Sequence, residues 1–138
     1  MKILIDTNVA LDILLHRKNY TTAAFIFSFA QQNIIDSYIS ASAITDIFYL
    51  STKDIGKRTA REAIRNLLKV FKPATVTDNN IYQALDLEWE DFEDSVQYVV
   101  GESFSADYIV TRNVTDFASG SIPAITPEQF LEIISVVE

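Results

Sequence analysis

Four carboxylates in this chain fall where one chemistry could use them together. Asp6 closes the apolar run Ile3-Leu4-Ile5 and is followed by Thr7-Asn8; Asp46 lies one turn into the helical segment after a second such run. Asp94 begins a helical stretch leading to Tyr108-Ile109-Val110, and Asp116 follows that run. Parallel strands end at a common edge, which is where open α/β sheets bind ligands. Carboxylates gathered there without Lys or Arg repel one another, and a divalent cation relieves the repulsion. With no Cys and one His in the chain, the donors are oxygens, which favours Mg2+ or Mn2+ over zinc. An ion so held binds phosphate oxygens and lowers the pKa of a bound water, so the chemistry indicated is phosphodiester or phosphoryl hydrolysis. A local reading competes for each acid. Asp6 or Thr7 could cap the helix that follows, and Glu90, Asp91 and Glu93 read as a solvated face. Asp91 stands apart because it lies three residues before Asp94 and can share its helix face.

The elements that must carry these acids alternate between two periods. Residues 3–5 read as a strand buried on both faces, 9–15 and 21–32 as helices, and 34–40 as a second strand. Residues 41–51 and 56–71 are helical in spacing, and Pro73 breaks the second of these. A third strand is expected at 74–77, a helix capped by Asp78 through 87, another from 91 to 103, and a fourth strand at 107–111. Thr126-Pro127-Glu128-Gln129 then has the residues of a capped helix start, with Pro at the first helical position, and the last helix follows. Such alternation implies βαβ units. The expected fold is α/β, a three-layer α/β/α sandwich around a mainly parallel sheet of four to five strands, as one domain over residues 1–138.

A chain of 138 residues can bury a core without staples, and the absence of Cys removes thiol catalysis, zinc fingers and disulfide frameworks. Lys2 is followed by three apolar residues before Asp6, which is no signal-peptide pattern, and no apolar run reaches the ~20 residues of a membrane span. A soluble, cytoplasmic protein is expected. The net charge of -8 argues against a broad nucleic-acid footprint, but the charge is polarised. Seven of the 11 Lys and Arg lie between Lys53 and Lys72, while six acids crowd the nine positions from Asp86 to Asp94. Arg58, Arg61, Arg65, Lys69 and Lys72 recur at spacings of three and four and form one basic stripe, a candidate for RNA phosphate or an acidic partner protein. An ordinary solvated face, with Glu62 pairing locally, is its plain alternative.

Three stretches together resemble the PIN-domain nucleases, especially the VapC-like toxins of prokaryotic toxin-antitoxin pairs. These are Ile3-Leu4-Ile5-Asp6-Thr7-Asn8-Val9; Asp91-Phe92-Glu93-Asp94-Ser95-Val96-Gln97 with Ala106-Asp107-Tyr108-Ile109-Val110-Thr111-Arg112-Asn113; and Asp116-Phe117. Their order and the chain's length both match the family. The resemblance implies a Mg2+- or Mn2+-dependent endoribonuclease, commonly a homodimer, with a small antitoxin blocking the site. By position it makes Asp6, Asp94 and Asp116 metal-site acids, with Asp46 as a fourth catalytic acid. Asp46 stands where the family most often has Glu, and Asn113 where many members carry an acid, so an altered metal affinity is expected. Thr7, Asn8, Thr111 and Arg112 flank the acids as candidates for holding a phosphate or a metal-bound water, with local capping explaining each equally well, and Asn113 could orient a water or phosphate as a neutral group.

The alternative of a different class is a PIN-like module that binds RNA or protein without cutting, which Asp46 and Asn113 permit. A haloacid-dehalogenase-like phosphatase needs a second Asp where this chain has Asn8, and no Gly-rich loop ends in Gly-Lys-Ser/Thr as a P-loop requires. His16, beside Arg17 and Lys18, reads as a helix-end residue rather than a base. Trp89, Tyr98, Phe104, Phe25, Phe27 and Phe29 read as core or interface aromatics.

Overall fold

Ile3, Leu4 and Ile5 have no exposed surface on either face, a burial that only the middle of a covered sheet provides. In the computed structural model, which describes residues 1–137, they lie in β1 (Lys2–Ile5). There follow α1 (Thr7–Leu15), α2 (Tyr20–Gln31), β2 (Asp36–Ser40), α3 (Ala41–Ile55), α4 (Lys57–Leu68) and β3 (Lys72–Ala74). Next come α5 (Asp78–Leu87), α6 (Phe92–Ser103), β4 (Tyr108–Val110), a single 3-10 turn (Val114–Phe117), β5 (Ala124–Ile125) and α7 (Pro127–Val137). All strand pairs are parallel, in the order β3-β2-β1-β4-β5.

Side chains alternate across a strand, and β1 divides its residues between two cores. Ile3 and Ile5 pack with Val9, Ile26, Ile47, Leu67 and Phe130, from α1, α2, α3, α4 and α7. Leu4 packs on the other face with Ala84 of α5 and Val96, Val99 and Val100 of α6. The same division repeats in β4, where Val110 joins the first core and Ile109 the second. The result is the expected α/β/α sandwich. From β1 the chain runs outward to β2 and β3 on one side, while β4 and β5 lie on the other. The strand order therefore reverses between β1 and β4, and the crevice at their carboxyl ends is a topological switch point.

Several boundaries depart from the sequence reading: α3 runs to Ile55 rather than 51, and β2 begins at Asp36 rather than 34. The third strand occupies Lys72–Ala74 rather than 74–77, and α4 stops at Leu68 rather than 71. Pro disfavours helical backbone in the residue before it and cannot donate to a ladder. Lys72 is accordingly extended, and β3 is an edge strand that tolerates Pro73. In addition, Thr77 rather than Asp78 caps α5: its hydroxyl accepts from the Asn80 amide at 3.1 Å while the Asn80 side chain accepts from the Thr77 amide at 2.9 Å. Asn at the third helical position completes this reciprocal box, which Asp78 could not form. The Thr126 and Gln129 pair forms the same box at the start of α7, with bonds of 2.9 and 3.1 Å.

Candidate active site

Asp6 terminates β1 and caps α1 at once. Its backbone is extended and its Oδ1 accepts from the Thr7 amide at 2.7 Å. The same oxygen accepts from Gln97 Nε2 of α6 at 3.1 Å, and Oδ2 accepts from the Thr111 hydroxyl, just past β4, at 2.9 Å. Asp6 is 5 % exposed, so donors from three elements replace the water its carboxylate gives up. Capping α1 and lining the cleft at the strand ends are compatible for Asp6. Thr111 in turn accepts from the Asn113 amide at 3.0 Å, coupling the two switch-point strands to the loop beyond.

The other acids arrive from α3, α6 and that loop. Asp91 caps α6 and accepts from the Asp94 amide at 3.1 Å. A cleft of about 290 Å³ is walled by Asp6, Asp46, Asp91, Glu93, Asp94 and Asp116, with Thr7, Asn8 and Asn113 among its neutral lining; no Lys, Arg or His lines it. All four acids singled out in the sequence thus share one cleft. Glu93, read from the sequence as part of a solvated face, joins them. It is half-buried; its Oε1 accepts from the Thr7 hydroxyl at 3.0 Å and from Gln97 Nε2 at 3.3 Å, and it lines the cleft together with Asp46. The one sequence signal for it is the Glu93–Gln97 spacing of four, which puts it on the buried face of α6.

Burial pushes the Asp94 carboxyl up to about 7, reinforced by the charges of Asp91, Asp6, Asp116 and Glu93. Burial likewise raises Glu93 to about 6; the Thr7 hydroxyl opposes this, while Asp46 and Asp6 add to it. Two acids held near neutrality, in a cleft without a cationic side chain, are groups whose mutual repulsion a divalent ion would relieve. The all-oxygen donor set suits Mg2+ or Mn2+. Among the described residues no three carboxylates converge into a ready-made cation cage; they line the cleft's walls.

The remaining candidates separate. Thr111 is buried against Asp6, Asn113 lines the cleft, and Arg112 turns away toward α1, its Nε 3.2 Å from Asp12 Oδ2. Arg58, Arg61 and Arg65 are exposed on α4, with Lys69 at its C-terminal cap, but Lys72 has left the stripe for β3, where it pairs with Asp36 at 3.1 Å. Arg61 and Arg65 border a separate apolar groove of about 410 Å³ with Ile44, Phe48 and Ile64. His16 caps the C-terminus of α1 with φ 49° and stacks on Tyr20 at 4.1 Å. Tyr98 is buried against Trp89 at 4.9 Å, whereas Phe25 is exposed.

The family model of the PIN domain matches residues 2–115. No curated protein matches the sequence. Among solved structures, VapBC2 from Rickettsia felis, bound to a DNA fragment from its promoter, superposes with a TM-score of 0.68 at 15 % identity, over 91 % of this chain and 97 % of that one. VapC20 of Mycobacterium tuberculosis, described as a sarcin-ricin loop cleaving toxin, gives 0.70 at 16 % identity, over 86 % and 95 %. A toxin-antitoxin complex from Klebsiella pneumoniae gives 0.65 at 20 % identity, over 91 % and 97 %.

Proposed function

The chain belongs to the PIN domain family, and from that premise we propose that it is a Mg2+- or Mn2+-dependent endoribonuclease, the toxin of a toxin-antitoxin pair. The observation that carries this reading is the cleft at the switch point, walled by six carboxylates with no cationic side chain among them. Asp6, Asp94 and Asp116 are the residues to hold the ion, with Asp46 completing the acidic set. When bound, the ion supplies a water of lowered pKa and offsets charge on the phosphate. The protein's own contribution is position and protons. Thr7, Gln97 and Thr111 fix both oxygens of Asp6, so its remaining lone pairs are set before any ligand arrives. Glu93, raised to about 6 by burial and by the charges of Asp46 and Asp6, exchanges a proton near neutral pH, as a general acid or base must.

The fold likeness to VapBC2 and to the Klebsiella complex supports an antitoxin partner for this chain, and the VapC20 likeness supports RNA as substrate. The groove bordered by Arg61 and Arg65 suits a partner segment that combines apolar and acidic residues. A homodimer fits the same reading. The test is cleavage of a mixed RNA pool by purified protein in Mg2+, Mn2+ or EDTA, beside Asp6→Asn. Cuts that need metal, weaken steeply with salt and vanish in Asp6→Asn are the expected result. Metal-independent cutting, or cutting retained in Asp6→Asn, overturns it. The binding-only module is favoured by Asp46 and Asn113 standing where longer or charged acids are usual; it predicts RNA or protein binding with neither cutting nor uptake of Mn2+.

A further inference from the structure

The most deeply buried carboxylate among the described residues lies outside the cleft. Asp12, on α1, is 1 % exposed; Arg112 Nε stands 3.2 Å from its Oδ2, yet neither oxygen accepts an aligned hydrogen bond. Arg17 and Glu128 are the other charged groups that act on it, with opposite signs. A carboxylate taken out of water is stable only with a counter-charge fixed beside it, so Asp12 and Arg112 hold one another in place.

The position of Arg112 gives that pairing a consequence. It sits between Thr111, whose hydroxyl holds Asp6, and Asn113, which lines the cleft; the 3-10 turn carrying Asp116 follows directly. The far end of this segment is anchored separately. Phe117 is 1 % exposed, and Tyr98 Oη accepts from the Ser121 amide at 2.8 Å, beside Gly120 packed on its ring. At the near end, the Arg112 side chain reaches Asp12 of α1, and among the described residues this is its one ion pair.

We infer that Asp12 is a positioning residue for the cleft, which through the Arg112 guanidinium fixes the start of the segment 112–118 and with it the places of Asn113 and Asp116. The idea that this bears on metal uptake rests on the function proposed above, so the test reads the segment and the metal separately. Amide hydrogen exchange in EDTA and Mn2+ titration by calorimetry are compared for the full chain, Asp12→Asn, Arg112→Met, Arg112→Lys and the Asp12→Asn/Arg112→Met double variant. Ile26→Val, a core change away from the loop, controls for general loss of stability. Faster exchange at 113–118, with β1 and α6 unchanged, is expected in Asp12→Asn and Arg112→Met. Mn2+ affinity falls about tenfold with it, as when groups supporting metal ligands are removed. The double variant is no worse than the worse single change, Arg112→Lys recovers most of the loss, and Ile26→Val shows neither effect. Unchanged exchange in both single variants, or losses that add in the double variant, overturns the inference. If Asp12→Asn fails to fold, the Arg112 pair, at a partly exposed side chain, decides by the same readouts. If the unaltered chain takes up no Mn2+, the proposed function fails, and exchange alone decides the positioning role.

Discussion

Replacing Asp94 by Asn should make the metal-free protein more stable while removing its response to metal. The Asp94 carboxyl sits at about 7, raised by burial and by four neighbouring carboxylates from an ordinary value of 3.8. Below about pH 4 it is protonated in folded and unfolded chains alike and has no effect. Between about 4 and 7 the unfolded chain ionises while the folded one holds its proton, so stability falls as pH rises; above about 7 the full penalty is present. A shift of roughly three units corresponds to ~4 kcal/mol at 1.36 kcal/mol per unit. The group is only half-buried, and solvent screening reduces this to about 1–2 kcal/mol. Opposing it, an acid in the first turn of α6 favours the helix by about 0.3–1 kcal/mol, the smaller effect. In EDTA at pH 8 the melting temperature of Asp94→Asn should therefore exceed that of the unaltered chain by a few degrees. At pH 5 the advantage should shrink. Adding Mn2+ at ~100 times its Kd should raise the unaltered chain by about 2.7 kcal/mol and leave Asp94→Asn unmoved. Scanning calorimetry at the two pH values, with EDTA and with Mn2+, reads all four conditions. An Asp94→Asn protein that melts lower at pH 8 in EDTA would refute the account of mutual repulsion.

Three further outcomes follow from the same geometry. Thr111→Val takes the hydroxyl from Oδ2 of the buried Asp6 and should cost about 1.5–3 kcal/mol, measured by urea unfolding; a neutral result would mean that water replaces the bond. Glu93→Gln removes a group that titrates at about 6, so calorimetric Mn2+ affinity should depend less on pH between 5 and 7, because one fewer proton is displaced. An unchanged slope would exclude Glu93 from the set coupled to the ion. In Gly120→Ala the added Cβ would collide with the Tyr98 ring, at a cost of about 1–3 kcal/mol by thermal melting, and hydrogen exchange should quicken around Ser121; wild-type melting would show that the loop yields freely.

Much of this arrangement is local and therefore legible in sequence. An apolar run ending in a carboxylate marked β1 and Asp6, because a strand covered on both faces needs no polar alternation. Capping chemistry marked the start of α7, and Pro73 marked that the helix before it must stop, though α4 ends at Leu68 rather than at the expected 71. The ends of parallel strands placed Asp6, Asp46, Asp94 and Asp116 at one edge, since strand direction alone decides which termini meet. Tertiary structure decided what depends on partners far apart in the chain. Glu93 belongs to the cleft because Thr7, 86 positions away, donates to it; on its own helix it is one more acid in an acidic stretch. Asp12 and Arg112 are drawn together by the β1–β4 pairing across 100 positions, and neither residue type nor local spacing encodes that contact. Proton affinities belong to the same class: sequence supplied the carboxyl groups, but burial and convergence at the switch point raise Glu93 to about 6 and Asp94 to about 7. Desolvation and charge density are properties of the packed molecule rather than of any one residue.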